Sequence, residues 1–135
     1  MSAEVFFDTN ILLYLFMEDG YRTQVAEELV LQGGVVSVQV LNELVSVARG
    51  KLKMSWENVC ANRDKALILL PDPIPLTEET HRFAVDISRL HGFNIYDSLI
   101  LAAAMQAGCT TLYTEDMQHG QTIGKLTIMN PFLAR

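Results

Sequence analysis

Four acids carry the chemistry open to this sequence: Asp8, Glu43, Asp97 and Asp116. Each falls where a local reading puts an element boundary or a helix turn. No serine or cysteine forms a usable pair with a histidine, so nucleophilic catalysis of that kind is not indicated. A chain that gathers carboxylates instead is suited to a hard divalent cation, because Mg²⁺ and Mn²⁺ take oxygen ligands. Ions held this way polarise a scissile phosphate, lower the pKa of a bound water and steady a leaving oxyanion. The chemistry implied is metal-dependent cleavage of a phosphodiester.

The elements that must position these acids can be read along the chain. Its 135 residues suffice for a single domain over 1–135, and half of them are hydrophobic, enough for a core. Glu4 to Phe7 reads as a short strand ending at Asp8. Ile11 to Phe16 reads as a helix, and Tyr21 to Leu31 as a second, stopped by Gly33-Gly34. Val35-Val36-Ser37 is expected to be strand two. Gln39 to Arg49 follows as a helix, with Leu41, Leu44, Val45 and Ala48 on its apolar stripe. Ser55 is expected to cap a helix through Leu70, and Thr77 one with Phe83, Ile87 and Leu90 on a stripe. Pro71 to Pro75 must be a loop or an edge strand. Asp97 is expected to open a helix through Ala107, closed by Gly108, with strands at Thr110–Thr114 and Leu126–Ile128. Strands separated by helices predict an α/β fold with a mostly parallel sheet covered on both faces. In such sheets ligands sit beyond the carboxyl ends of the strands. Asp8 and Asp116 fall there by local reading alone.

Each acid also has a plainer reading. Asp8 and Asp97 are suited to cap the helices that follow them. On a wheel at about 100° per residue, Glu43 lies opposite the Leu41–Ala48 stripe, beside Val40 and Val47. It is either at the border of a solvated face or on a second buried one. Asp116 lies in a polar loop, where Glu115 is an alternative ligand. His119, in the same loop, either approaches a substrate or is merely solvated. Arg49, Lys51 and Lys53 form the densest basic cluster. They either contact phosphates or, more simply, favour a helix C-terminus. Leu12, Leu13, Leu15, Phe16 and Met17 are apolar on more sides than one helix–sheet contact needs, which suits a core helix or an association surface.

The net charge of −6 opposes a protein that grips nucleic acid through its backbone, unless bound cations invert the local field. An acidic site would also attract a basic partner segment. Met1 to Val5 has no basic stretch ahead of an apolar run, and the longest apolar runs are too short to span a bilayer. Cys60 and Cys109 lie in no metal-ligand spacing and read as reduced thiols of a cytoplasmic protein.

Several segments carry a resemblance in order: Val5-Phe6-Phe7-Asp8-Thr9-Asn10, Val40-Leu41-Asn42-Glu43-Leu44, Ile95-Tyr96-Asp97-Ser98-Leu99-Ile100, Leu112-Tyr113-Thr114-Glu115-Asp116 and Ile128-Met129-Asn130-Pro131-Phe132. Together they resemble the PIN-domain (PilT N-terminus) ribonucleases, and within them the VapC-type toxins of bacterial toxin–antitoxin pairs. The resemblance covers almost the whole chain. It implies a three-layer α/β/α single domain and endonucleolytic cleavage of RNA. It also implies Mg²⁺ or Mn²⁺ on Asp8, Glu43, Asp97 and Asp116, with Thr9 and Thr114 orienting carboxylates or metal-bound water. Glu43 then belongs to the site-facing side of its helix. A cognate antitoxin with a basic tail and a homodimer are the partners implied. Other readings are a PIN-type RNA-processing nuclease without an antitoxin, and a PIN-fold binding module that does not cut. A phosphatase working through a phosphoryl-aspartate needs a second Asp two residues after the first, where this chain has Asn10.

Overall fold

The structure, a computed structural model, describes residues 4–133. Met1 to Ala3, part of the stretch read for a leader, lie outside them. Strand β1 (Val5–Phe7) runs into helix α1 (Thr9–Leu15). Helices α2 (Tyr21–Leu31), α3 (Val38–Gly50), α4 (Trp56–Leu69), α5 (Glu78–His91) and α6 (Ile95–Gln106) follow. The chain closes with β2 (Thr111–Tyr113), β3 (Thr122–Ile123) and β4 (Leu126–Met129).

The sheet order is β1-β2-β4-β3, with β1, β2 and β4 parallel and β3 antiparallel to β4. Adjacent residues of a strand point to opposite faces, and Phe6 and Phe7 are both fully buried. The sheet is therefore covered on both faces, as an α/β/α arrangement requires. Val5, Phe6 and Phe7 pair with Thr111, Leu112 and Tyr113. That register brings the ends of β1 and β2, and so Asp8 and Thr114, to the same edge.

The expected second strand shrinks to two bridges. Val35 pairs with Phe6, and Ser37 with Ile74 from the proline-rich segment. The run is cut short because Ser37 already caps α3, its side chain accepting from Val40 N. Its close approach to β1 needs Gly34, where a Cβ would stand 2.5 Å from the Phe7 ring and 2.9 Å from Val5 O. Strand β3 was not expected; two residues beside the Gly124 turn leave no periodicity to read.

Other elements stand close to expectation. Ser55 and Thr77 cap α4 and α5. The buried stripe of α3 is Val40, Leu44 and Ala48, rotated from the one expected, with Leu41 and Val45 half-buried. On α5 the stripe is Thr80, Ala84 and Ile87, while Leu90 is exposed. Asn94, not Asp97, caps α6, accepting from Asp97 N, so the helix opens two residues before Asp97. The apolar excess of α1 is largely absorbed inside the molecule: Leu13, Leu15 and Phe16 pack on the core, and Leu13, Phe16 and Met17 meet α3 and α4. Cys60 and Cys109 form no disulfide. Among the described residues no helix is long and apolar enough to cross a membrane.

Candidate metal centre

Asp8 leaves β1 at its carboxyl end and is 4% exposed. Its backbone N–H completes the ladder to Tyr113 O. One carboxylate oxygen accepts from Thr9 N at 2.6 Å, capping α1 as expected. The other accepts from Thr114 Oγ1 at 2.8 Å, just beyond β2. Burial raises the Asp8 pKa from 3.8 to about 7, against the lowering effect of these two bonds, and the charges of Glu43 and Asp97 push it further the same way.

Glu43 sits on the second turn of α3, half-buried, and its carboxylate accepts from Gln39 Nε2 at 3.0 Å. Burial raises its pKa, Gln39 and Thr9 lower it, and Asp97 and Asp116 raise it. Asp97, in the first turn of α6, accepts from Asn94 Nδ2 at 3.0 Å. Its pKa is also raised, by burial first and then by Asp116, with Asn94 opposing. These mutual influences place all four acids around one centre. Glu43 is thus half-buried at the border of its helix's solvated face, beside exposed Asn42 and Ser46, and turned toward the other acids.

Asp116 is exposed and is steered by Asn10. The Asn10 amide donates to Asp116 Oδ2 at 3.0 Å and to Thr114 Oγ1 at 3.3 Å, while its carbonyl accepts from Glu115 N at 3.1 Å. Thr114 Oγ1 also accepts from Asp116 N. One asparagine and one threonine thereby lock the loop after β2 to the start of α1. Sequence reading assigned no site role to Asn10, Gln39 or Asn94. For Asn10 the signal was its place two residues after Asp8; for Gln39, its i, i+4 relation to Glu43.

Glu115 is not available as the alternative ligand. It takes the Arg22 guanidinium at 2.7 Å and the Tyr14 hydroxyl at 2.5 Å. Burial and Glu115 together raise the Tyr14 pKa to about 12. Arg22 also lies over the rings of Tyr14 and Phe132. His119 is a structural latch, its Nδ1 accepting from Asn130 N at 2.9 Å.

Two clefts open on the acids. One, of about 550 Å³, is lined by Gln39, Asn42, Glu43, Ser46, Asn94, Tyr96 and Asp97. The other, of about 360 Å³, runs from Asn10, Glu115 and Asp116 to Val47, Lys51 and Leu52. A larger depression of about 680 Å³ lies over α5 alone and holds no such cluster.

A divalent ion fits this donor set. The donors are all oxygens, none of the pKa shifts at Asp8, Glu43 and Asp97 is relieved by a basic side chain, and the cluster is uncompensated. Thr9 Oγ1 is buried beside Glu43, yet finds no hydrogen bond of ordinary geometry among the described residues. No three acids, histidines or cysteines among the described residues are close enough to enclose an ion by themselves. The fit is to an ion that keeps part of its water shell, as Mg²⁺ does.

Comparison with known proteins agrees with this architecture. A toxin–antitoxin complex from Klebsiella pneumoniae contains a chain with a TM-score of 0.71 at 22% identity, covering 94% of this chain and 97% of that one. VapC20 of Mycobacterium tuberculosis, a Sarcin-Ricin loop cleaving toxin, has a TM-score of 0.67 at 18% identity, over 83% and 89% of the two chains. VapBC2 from Rickettsia felis, bound to a DNA fragment from its promoter, has a TM-score of 0.66 at 23% identity, over 93% and 97%. At these identities the likeness is one of fold. No curated protein matches the sequence significantly. The PIN domain family model, however, matches residues 5–123, nearly the whole of the described fold, and the chain belongs to the PIN domain family.

Proposed function

We propose that the protein is a Mg²⁺- or Mn²⁺-dependent endoribonuclease and the toxin of a toxin–antitoxin pair. The observation that carries the reading is the convergence of Asp8, Glu43, Asp97 and Asp116 from four separate segments, each of the first three held above its ordinary pKa. Uncompensated carboxylates at a strand-end edge are suited to a cation that in turn meets phosphate. PIN-family membership and the toxin-like fold support the same reading.

In this reading the four acids hold the ion, directly or through its waters. When bound, it would supply charge to the phosphate and acidity to a water. Asp8 is the most buried of the four and the most firmly oriented, since Thr9 N and Thr114 Oγ1 each fix one of its oxygens. Asn10 sets the rotamer of Asp116, Gln39 that of Glu43, and Asn94 that of Asp97. Thr9 presents its hydroxyl to the centre beside Glu43. The chain over 1–135 acts as one nuclease domain. A cognate antitoxin with basic residues would meet the acidic cluster, and a homodimer and a cytoplasmic setting complete the proposal.

The test is cleavage of mixed RNA by the purified, partner-free protein, with Mg²⁺ or Mn²⁺ against EDTA, alongside Asp8→Asn and Asp97→Asn. Metal-dependent cutting that both substitutions abolish is expected. RNA binding without cutting under any metal would favour a binding module. Cutting by a protein whose expression leaves cell growth unaffected would favour an RNA-processing nuclease without an antitoxin.

A further inference from the structure

The basic cluster at the end of α3 has a use that helix termination does not exhaust. Arg49 alone meets that need: it lies in the last turn, donates to Met54 O at 2.9 Å, and its guanidinium lies 4.6 Å from the centre of the Trp56 ring. Lys51 and Lys53 are surplus to it. The loop alternates, with Leu52 and Met54 turned into the junction with α1 and α4 while Lys51 and Lys53 are exposed. Leu52 N and Met54 N bond back to Val47 O and Ala48 O, so the alternation is fixed by the backbone. Trp56, at the first position of α4, is 57% exposed.

The other cations are paired with carboxylates or do not line the cleft that reaches Asp116. Arg22, Arg63, Arg82 and Arg89 are each paired with a carboxylate. Among the described residues, Lys51, Lys53, Lys65 and Lys125 have no carboxylate within ion-pair distance. Of these four, Lys51 alone lines the cleft that reaches Asp116. A chain of charge −6 that is to hold a polyanion beside an acid cluster must do so with few cations. Here Lys51 lines that cleft, and Arg49, Lys53 and the exposed indole of Trp56 lie within five residues of it along the chain.

We propose that residues 49–56 are a docking surface for single-stranded RNA, with Lys51 and Lys53 on phosphates and Trp56 stacking a base, leading the strand into the cleft that ends at Asp116. This rests on the nuclease reading. A single strand suits the surface because its unstacked bases are free to meet an aromatic face. The loop is a tight turn rather than an extended strand, with Lys51 helical and Lys53 left-handed, and it presents both cations to solvent.

The test is equilibrium binding of a fluorescent single-stranded RNA of mixed sequence, by anisotropy, in EDTA over a salt series. The proteins compared are the full chain, Lys51→Ala/Lys53→Ala, Trp56→Ala, Trp56→Phe, and Lys65→Ala/Lys125→Ala as the remote control. The double substitution at 51 and 53 is expected to weaken binding and to reduce the slope of log affinity on log salt by roughly 1.4, at about 0.7 per phosphate contact for a single strand. Trp56→Ala is expected to cost roughly 5- to 150-fold in affinity, and Trp56→Phe to retain part of it. Lys65→Ala/Lys125→Ala should leave the slope unchanged. An unaltered slope in the 51/53 variant, equal losses in the remote control, or no binding by the full chain overturns the proposal. Cleavage, measured separately with metal, tells the two readings apart. Cutting with an unaltered 51/53 slope sinks the docking surface alone; altered binding without cutting sinks the nuclease alone.

Discussion

Asp8 makes a specific claim on stability. A carboxyl with a pKa of about 7 in the folded protein and an ordinary 3.8 in the unfolded chain holds its proton more tightly when folded. Folding is then favoured by this group at acid pH, below about 4. The advantage drains away as pH rises through the window from about 4 to about 7, and above it the folded state carries the full cost of a buried charge. At roughly 1.4 kcal/mol for each pH unit, the window is worth about 4 kcal/mol. That is a large fraction of the stability of a small domain. Glu43 and Asp97, also raised, push in the same direction.

The perturbation is Asp8→Asn. The amide removes the charge and keeps an oxygen for Thr9 N, at the loss of the bond from the Thr114 hydroxyl, whose lone pairs already accept from Asp116 N and the Asn10 amide. The assay is urea unfolding between pH 5 and 8 in EDTA, then with Mg²⁺. The unsubstituted protein should lose stability as pH rises, and Asp8→Asn should lose markedly less, ending more stable than the parent at pH 8. Magnesium at a hundredfold over its dissociation constant should restore about 2.7 kcal/mol to the parent. It should act more strongly at pH 8 than at pH 5, because protons and metal compete for the same oxygens, and weakly or not at all on Asp8→Asn. Identical pH slopes for parent and variant in EDTA would refute the argument, since they would mean that Asp8 is not the group titrating.

Three further outcomes follow from the same contacts. Asn10→Ala should cut apparent Mg²⁺ affinity about 10- to 100-fold, read from the metal dependence of cleavage, because Asp116 loses the amide that orients it. Glu115→Gln should leave metal-dependent cleavage largely intact while Asp116→Asn removes it, since Glu115 is already held by Arg22 and Tyr14; equal losses in both would make Glu115 a ligand after all. Gly34→Ala should destabilise the protein by about 1–3 kcal/mol in urea unfolding, because its Cβ would stand 2.5 Å from the Phe7 ring.

The parts of this protein legible in its sequence are those fixed by local rules. Ser55 and Thr77 announced their helices because a cap is decided within three residues of itself. Asp8 announced its edge because an apolar strand ends at it. What failed was decided by tertiary packing or by a competing neighbour. Leu90 looked like core, but α5 buries Thr80, Ala84 and Ile87, and the stripe drifts off Leu90 by the last turn. Asp97 looked like a cap, but Asn94 stands three residues earlier with the same capacity and leaves Asp97 to the centre. The strand at Val35 is cut short because its own last residue, Ser37, caps α3.

Asn10 marks the limit of local reading most clearly. Its neighbours in sequence give it no task, and its partners lie more than a hundred residues away, at Thr114, Glu115 and Asp116. It earns its position only once β1 and β2 pair in register. The register brings Thr114 against Asp8, and Asn10 then ties the loop after β2 to the first turn of α1, while Glu115 ties it to Tyr14 and Arg22. An acid cluster assembled this way is as precise as the β1–β2 ladder beneath it. Weakening that ladder should therefore loosen metal binding before it unfolds the domain.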